Sequence, residues 1–341
     1  MGVSIRDVAK SAGVSVSTVS RALNGYTDVS EKTKNKIQKT VQQLGYVPNQ
    51  SAKNLSSKNT KNIALIVFDL YKVDKLNEFT TNILRGVYEY ANERGSTLAT
   101  YGISEEMQKK KKLADMCSEY SLSGVILMGL KMQDKYLKEA KTLRIPCVTI
   151  DVKVQGKNTA TIMTDDVTAF EEITDYVLDH GHKKVVLIKG KEEAEVTLNR
   201  YLGFKKSIEK HGINMQDIEI INCHFDQEEA FEKTMDYLKK HEKRKATAFI
   251  CMSDLMALGV SRAMLECGYS IPEDFSVTGF DGIYVLDYIK PGITTIDQNT
   301  IEKGYVGVRV LNDMLEGKEV EDNIFVPHKL IVRESVQENS I

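Results

Sequence analysis

The amino-acid sequence predicts an α/β protein in which a small helical head precedes a larger core of two doubly wound subdomains. Three observations support this fold class: the length, the uneven distribution of charge, and the alternation of apolar runs with amphipathic stretches. A chain of 341 residues is longer than most single compact domains. Its apolar fraction of 42% and charged fraction of 28% are those of an ordinary globular protein.

Positive and negative charge are concentrated in different parts of the chain. Residues 1–60 contain nine Lys and Arg against three Asp and Glu, which gives this segment a net charge of +6. The whole chain has a net charge of −2, so the remainder carries −8. A basic head on an acidic body is expected of a nucleic-acid-binding protein, although many solvated surfaces are also locally basic.

The basic segment is predicted to form three short helices. Ser4, Ser15 and Ser30 each precede a stretch with apolar residues at helical spacing, where an N-cap belongs. Gly13 can take the positive φ of a tight turn between the first two helices, and Gly45 can end the third. Two short helices around a turn, closed by a third, make a helix-turn-helix unit.

A polar segment follows the head. Residues 48–60 contain only two apolar side chains besides the initial proline, Ala52 and Leu55. Such a segment cannot bury enough apolar surface to fold alone, so we expect a linker that becomes ordered on contact with a partner.

The core alternates short apolar runs with longer amphipathic stretches. The runs are IALIVF, TLATYG, GVILMG, PCVTID, TATIM, VVLIKG, IEIINC, TAFICM and SVTGF. This alternation is typical of βαβ units, whose parallel strands are covered on both faces. The strands are too many for one ordinary sheet, which favours two doubly wound subdomains with a ligand between them.

Several classes of protein are disfavoured by the sequence. No apolar run is long enough for a membrane-spanning helix, and the first residues contain no apolar stretch for a secretory signal. Five scattered cysteines without a CxxC pair are typical of reduced thiols, so we expect a cytoplasmic protein. An oxidoreductase or nucleotide-hydrolysing enzyme is disfavoured because GxGxxG and GxxxxGK[ST] are missing. His180 and His182 have no accompanying ligand cluster, so we expect neither a metal nor a cofactor.

The whole chain resembles the LacI/GalR family of bacterial transcription regulators. The head segments SIRDVAKSAGVSVSTVSRALNG and VSEKTKNKIQKTVQQLGYVPNQSAKNL carry the resemblance. The body adds HGHKKVVLIKG, NRYLGF, CMSDLMALGV, VTGFD, PGITTIDQ and VPHKLIVRES. The resemblance implies a DNA-binding head over 1–47, a hinge helix and linker over 48–60, and a type I periplasmic-binding-protein-like core over 61–341. Its N-subdomain would span about 61–160 and 291–320, and its C-subdomain about 161–290 and 321–341.

The second predicted helix carries the expected DNA specificity. A recognition helix places its N-terminal residues against base edges in the major groove, which here are Val16, Ser17 and Arg21. Arg21 can donate to O6 and N7 of guanine, and Val16 can pack on a thymine methyl. Short hydroxyl and amide side chains suit phosphate oxygens, although some are also helix caps. These are Ser15, Thr18, Ser20, Asn24 and Ser30.

The hinge carries a second predicted DNA contact. The resemblance implies that Leu55 enters the minor groove as an apolar wedge, which bends the duplex. It also implies that Ala52 lies where two hinge helices touch. An isolated leucine on a short polar helix can equally be a docking contact for the linker.

The resemblance also places an effector site at the ends of core strands. Asp281 and Arg200 match the family's effector-gripping carboxylate and guanidinium, which suit the vicinal hydroxyls of a sugar. Phe225 matches an aromatic platform, with a core aromatic as the alternative, and Asp281 has a structural turn carboxylate as its alternative. The other effector candidates are Asp69, Tyr71, Asp151 and Ser253.

The resulting functional prediction is an allosteric regulator, most simply a repressor. One head covers only a half-site, and the final residues lack the apolar heptads of tetrameric family members, so we expect a homodimer on a palindromic operator. A sugar-like effector would change the angle between the subdomains and so the spacing of the heads. The alternative is a corepressor-dependent or activating regulator that senses a nucleobase or a protein partner.

Overall fold

The computed structural model describes residues 3–23, 26–46, 62–68, 78–94, 97–241 and 246–339. The backbone contacts divide the chain into two compact units, residues 1–60 and residues 61–341.

The first unit contains the three expected head helices. They are α1 Ile5–Ala12, α2 Val16–Leu23 and α3 Glu31–Leu44. Gly13 and Gly45 have φ of 67° and 61°, the left-handed values that end α1 and α3. The helices enclose a small core of Val8, Ala9, Ala12, Val19 and Ile37.

The second unit begins with a six-stranded parallel sheet. Its strands are β1 Ile63–Phe68, β2 Leu98–Ile103, β3 Gly124–Met128, β4 Cys147–Ile150, β5 Thr159–Met163 and β11 Asn323–Phe325, in the order β11-β5-β4-β3-β1-β2. The helices of this first lobe are α4 Glu78–Glu93, α5 Glu105–Lys110, α6 Leu113–Glu119, α7 Lys135–Ala140 and α12 Thr300–Leu315. Every residue of β1, β3, β4 and β5 is buried, as expected where helices cover both faces of a sheet.

A four-stranded parallel sheet forms the second lobe. Its strands are β6 Val185–Lys189, β7 Glu219–Asn222, β8 Ala248–Cys251 and β9 Ser276–Thr278, in the order β7-β6-β8-β9. Its helices are α8 Asp166–Asp179, α9 Glu195–Lys210, α10 Gln227–Lys240 and α11 Asp254–Glu266. Two further strands, β10 Thr295–Asp297 and β12 Lys329–Ile331, pair antiparallel, and short 3₁₀ helices span Met215–Asp217 and Tyr284–Asp287.

The chain crosses between the lobes at places that differ from the expected 291 and 321. Ile293 and Ile296 belong to the core of the second lobe, so the chain returns to the first lobe only near Gln298. Asn323 of β11 pairs with Thr161 of β5, so the last crossover follows β11. Both strands that move these boundaries have three residues, too few for a periodic apolar signal.

Helix α12 packs closely on α4. A Cβ on Gly86 would lie 1.8 Å from the Ile301 carbonyl oxygen, and one on Gly304 would lie 2.1 Å from that of Ile83. Only glycine permits this close approach. The contact fixes the first turn of α12 beside the strand ends, and Lys303 lies in that turn.

Candidate nucleic-acid interface and effector site

The start of α2 presents short side chains to solvent. The Ser15 hydroxyl accepts a hydrogen bond from the Thr18 backbone N–H at 3.1 Å and lies 2.7 Å from the Ser17 hydroxyl. Val16 is 41% exposed and Ser17 is exposed, whereas Val19, one turn later, is completely buried. Ser17 lies on the side of α2 opposite Val19, so the packing of Val19 turns Ser17 toward solvent. Val16 is exposed beside Ser17 as the first residue of the helix. Exposed residues at this end of the helix are what base recognition in the major groove would need.

Arg21 is also exposed, but its guanidinium already has partners. It forms an ion pair with Asp28 and lies 5.3 Å from the centre of the Tyr26 ring. The Ser30 hydroxyl accepts from the Thr33 N–H at 3.3 Å, so Ser30 caps α3. Ser20 is half-buried on α2.

Five predicted contact residues fall outside the described residues. They are Asn24, Ala52 and Leu55 for DNA, and Asp69 and Tyr71 for the effector.

Six polar residues meet where the strands of the two lobes end. We call them the inter-lobe cluster: Asp151, Asp166, Arg200, Asp281, Gln298 and Lys303.

Arg200, on α9, is almost completely buried at 3% exposure. Its Nε donates to Oδ1 of Asp166 at 2.8 Å, and its Nη1 donates to the Met252 carbonyl at 2.6 Å. The guanidinium carbon lies 3.9 Å from the centre of the Phe280 ring. These contacts orient the guanidinium and match its charge with that of Asp166.

Asp281 lies beside Arg200, as the sequence predicted, but is not its main partner. Its Oδ1 is 3.9 Å from Arg200 Nη1, while it accepts from Gln298 Nε2 at 2.7 Å. The Asp281 side chain is 12% exposed. Burial raises its pKa to about 8, because the nearby Arg200 only partly offsets the loss of solvent and Asp254 adds repulsion.

Asp151 connects to the same cluster through a buried lysine. Lys303 is fully buried, and its Nζ donates to Asp151 Oδ1 at 2.8 Å and to Gln298 Oε1 at 2.9 Å. Because Gln298 also donates to Asp281, a continuous chain of polar contacts runs from Asp151 in the first lobe to Arg200 in the second.

Ser253, another predicted effector residue, has a structural role. The Ser253 hydroxyl accepts from the Met256 N–H at 3.3 Å and so caps α11. Its neighbour Asp254 accepts from the N–H groups of Gly282 and Ile283, at 2.7 and 2.9 Å, which holds the turn after Asp281. Burial raises the pKa of Asp254 to about 6, although these hydrogen bonds oppose the shift.

Phe225 covers Gly190 at the end of β6. A Cβ on Gly190 would lie 2.1 Å from the Phe225 ring, so only glycine leaves room for it. Arg200 lies 6.0 Å from the centre of this ring. Phe225 is half-buried and packs against the core of the second lobe, which agrees with the core interpretation. Its role as an aromatic platform stays a prediction.

Strained backbone gathers at the same strand ends. Among the described residues, six non-glycine residues have positive φ, and five of them follow β4, β7, β9 or β10. These five are Asp151, His224, Phe225, Asp281 and Asn299, with φ of 59°, 52°, 63°, 138° and 51°. Such strain costs free energy and concentrates at functional sites. The outliers therefore support a binding role for this region independently of the sequence motifs.

Sequence reasoning missed half of the cluster. Asp166 stands in a helix start that is typical of a solvated cap, and Lys303 stands in the first turn of an amphipathic helix. Gln298 carries no charge signal. The burial of all three follows from long-range packing, which no local pattern encodes.

Metal and membrane features are lacking in the part of the chain that the structure describes. No group of three or more His, Cys, Asp and Glu side chains there could hold a metal ion. No helix in the same ranges is long and apolar enough to cross a membrane.

Comparison with known proteins identifies the family. Residues 4–49 match the model of bacterial regulatory proteins of the lacI family, and residues 174–336 match a periplasmic binding protein-like domain. The transcriptional repressor PurR of Vibrio vulnificus is 30% identical over 336 residues, covering 98% of each chain. The chain belongs to the lacI family.

Two solved structures extend this family assignment to the whole fold. A lac repressor dimer bound to operator and the anti-inducer ONPF superposes with a TM-score of 0.87 at 25% identity, covering 99% of this chain and 100% of that one. A complex of the regulator CelR with cellobiose gives a TM-score of 0.72 at 24% identity, covering 98% and 99% of the two chains, and shows the same fold. As a lacI-family protein, the chain is a DNA-binding transcriptional regulator and not an enzyme.

Proposed function

We propose that this regulator is a cytoplasmic repressor that binds a palindromic operator as a homodimer, under the control of a sugar-like effector. The observation that carries the proposal is the presence on one chain of a solvent-facing recognition helix and a buried polar cluster between two lobes. The similar lac repressor structure is a dimer with operator and an anti-inducer, and the similar CelR structure contains cellobiose.

On the DNA side, base recognition is assigned to the exposed start of α2. Val16, Ser17 and Arg21 contact base edges, and Arg21 must leave Asp28 to do so. Leu55 is assigned to the minor groove and Ala52 to the contact between two hinges. The phosphate contacts are assigned to Ser15, Thr18, Ser20, Asn24 and Ser30.

On the effector side, the inter-lobe cluster is the binding site. Asp281 and Asp151 accept hydrogen bonds from effector hydroxyls, Arg200 orients Asp281, and Phe225 supplies an apolar face. Asp69, Tyr71 and Ser253 complete the proposed site. Because the cluster contains residues of both lobes, an occupant changes the free energy of one inter-lobe angle relative to another.

Two experiments test the proposal. Binding-site selection from random DNA should return an inverted repeat, and a thermal-shift screen of sugars, sugar phosphates and nucleobases should find a stabilising ligand. That ligand should then change operator affinity in a gel shift. Selection of no repeat contradicts the DNA role, whereas a ligand that binds without changing operator affinity contradicts the allosteric role.

A further inference from the structure

We propose that two clasps made by glutamates hold the lobes of the core together before any effector binds. Glu193 and Glu195 of the second lobe form the first clasp, and Glu78 of the first lobe forms the second clasp. The effect of the clasps on operator binding rests on the proposed function, whereas their effect on the inter-lobe angle does not.

The first clasp joins the loop between β6 and α9, in the second lobe, to the loops that follow β3 and β4 in the first lobe. The Met132 N–H donates to the Glu193 carbonyl at 3.1 Å, and the Lys153 N–H donates to Glu195 Oε2 at 2.8 Å. The Lys131 ammonium lies 3.8 Å from the Glu193 carboxylate. The first clasp therefore contains two hydrogen bonds and an ion pair, and each of them crosses from one lobe to the other.

Both sides of the first clasp belong to ordered parts of their own lobes. In the first lobe, Asp134 is 7% exposed and accepts from the Lys131 N–H at 2.7 Å, which fixes the turn after β3. In the second lobe, Glu195 is the first residue of α9, the helix that also carries Arg200. The clasp therefore connects the first lobe to the helix that supplies the guanidinium of the inter-lobe cluster.

The second clasp reaches the segment that carries Asp281. Glu78 begins α4 in the first lobe, and its Oε1 accepts from the Tyr284 N–H at 2.6 Å. Tyr284 begins the 3₁₀ helix that follows Asp281, and Asp254 holds the same turn by accepting from the Gly282 N–H at 2.7 Å. A movement of the first lobe against this turn must therefore break the hydrogen bond of Glu78.

The clasps act on the same equilibrium as an effector. Each is made entirely by groups of the chain, so its hydrogen bonds stabilise the clasped arrangement whether or not the site between the lobes is occupied. A different inter-lobe angle has to give up these hydrogen bonds, and their free energy therefore opposes opening. Because both clasps must break when the lobes separate, weakening one of them should also expose the amides of the other.

Amide hydrogen exchange tests this coupling in the full chain, without DNA or effector. In Glu195→Ala the Lys153 amide loses its acceptor directly, whereas the amides of Met132 and Tyr284 keep theirs. Exchange at Met132 and Tyr284 should still become at least about five-fold faster, the factor expected when the opening of the lobes costs one net hydrogen bond less. Unchanged exchange at both amides overturns the proposal.

A variant of the second clasp provides the reverse test. Glu78→Ala removes the acceptor of Tyr284 and leaves the first clasp intact, so exchange at Met132 and Lys153 should become faster by a similar factor. Acceleration that is confined to Tyr284 would show that Glu78 acts only on its own neighbour, and would overturn the coupling of the two clasps.

Two further variants serve as controls. Glu192 lies in the same loop as Glu195, but it pairs with Lys189 within the second lobe, so Glu192→Ala should leave exchange at Met132 and Tyr284 unchanged. Glu195→Gln keeps an acceptor oxygen and should restore most of the protection that Glu195→Ala loses. Equal acceleration by Glu192→Ala and Glu195→Ala overturns the proposal, because a general loosening of the loop would then explain both.

Operator gel shifts without effector test the regulatory consequence. Glu195→Ala should change operator affinity, because the free chain then spends more time with its lobes apart. Wild-type protein that binds no operator contradicts the proposed function and leaves the exchange result to decide on the clasps. Operator affinity that is unchanged in a variant with faster exchange overturns the regulatory role of the clasps.

Discussion

Lys303 reaches the inter-lobe cluster from the first turn of α12, and its ammonium joins Asp151 in the first lobe to Gln298 at the crossover. An ammonium in the interior is costly unless it is paired and hydrogen-bonded. Both conditions are met here, and the partner Asp151 itself has a positive φ of 59°. Lys303 therefore positions the side chains of Asp151 and Gln298 in the proposed effector site.

Removing the Lys303 ammonium should make the folded protein less stable. In Lys303→Met the Asp151 carboxylate loses its cation, and Gln298 loses a donor. We expect the free energy of unfolding to fall by about 3 kcal/mol, the usual cost of breaking a buried pair. Urea denaturation of wild type and variant measures this difference.

A second substitution separates charge from packing. Lys303→Met combined with Asp151→Asn removes the stranded charge, so most of the lost free energy should return. A Lys303→Met variant that loses less than about 1 kcal/mol would show that the buried pair does not stabilise the cluster, because exposed surface pairs already contribute up to about that much.

Asp281 should make stability depend on pH. Its pKa is about 8 in the folded protein, against about 4 in an unfolded chain. The folded state therefore binds more protons between these values, and the free energy of unfolding should fall as pH rises from about 4 to about 8. Asp281→Asn does not titrate, so wild type should lose stability relative to this variant over that range, at up to about 1.4 kcal/mol per pH unit. Parallel stability curves for the two proteins from pH 5 to 8 would contradict the raised pKa.

At the scale of elements, α2 has one side packed in the head core and another exposed to solvent. Val19 fixes the helix in the head core, while Arg21 is held in an ion pair by Asp28 from the following loop. Both partners of this pair are about half exposed, so it contributes little to stability. If Arg21 reads a base as proposed, the pair must open when DNA binds, so Asp28 competes with DNA for the guanidinium.

Two head variants should therefore shift operator affinity in opposite directions. Arg21→Ala should weaken binding by about 1–3 kcal/mol per half-site, with relaxed preference at one base pair. Asp28→Asn should strengthen it, because Arg21 no longer has to leave a carboxylate. Arg262→Ala is the matched control, since Arg262 also pairs with carboxylates on the surface but lies on α11. Unchanged affinity and sequence preference in Arg21→Ala would remove Arg21 from the interface.

The hinge prediction rests on the sequence, because Leu55 lies outside the described residues. Leu55→Ala should spare folding and effector binding but reduce operator affinity and DNA bending together, since the apolar wedge is lost. Circular-permutation gel shifts measure the bend. Equal bending by wild type and variant would mean that Leu55 only docks the linker.

The elements that sequence predicted well are those with strong local signals. Fully buried parallel strands such as β1 and β3 appear as continuous apolar runs, and the head helices carry serine caps and C-terminal glycines. The three-residue strands β10, β11 and β12 have no such signal. Asp281 was found because a motif precedes it, whereas Lys303 was missed because only the packing of α12 reveals its burial.

At the scale of the whole molecule, the proposed function depends on one chain carrying two kinds of site. In the proposed site the core offers residues from both lobes to one occupant, and the crossover after β10 contains Gln298, which takes part in the cluster. A change in the angle between lobes would break or remake these contacts. The proposed allosteric control requires that the effector bind the two arrangements with different affinities.

The proposed homodimer makes a geometric prediction about its operator. Two heads bind half-sites that are related by the two-fold axis of the dimer, so selected sites should be inverted repeats of fixed spacing. Inserting about five base pairs, half a helical turn, between the half-sites should reduce affinity to the non-specific level. Unchanged affinity for the lengthened site would contradict simultaneous contact by two rigidly paired heads.

The most direct test of effector-controlled repression is a single titration of the selected operator, with and without the effector found by screening, in wild type and Asp281→Asn. Effector should change wild-type operator affinity by at least about five-fold, as a coupling free energy of about 1–3 kcal/mol requires. Asp281→Asn should bind the operator as wild type does without ligand, and should not respond to the effector. Wild-type affinity that is identical with and without a ligand that occupies the core would contradict the account.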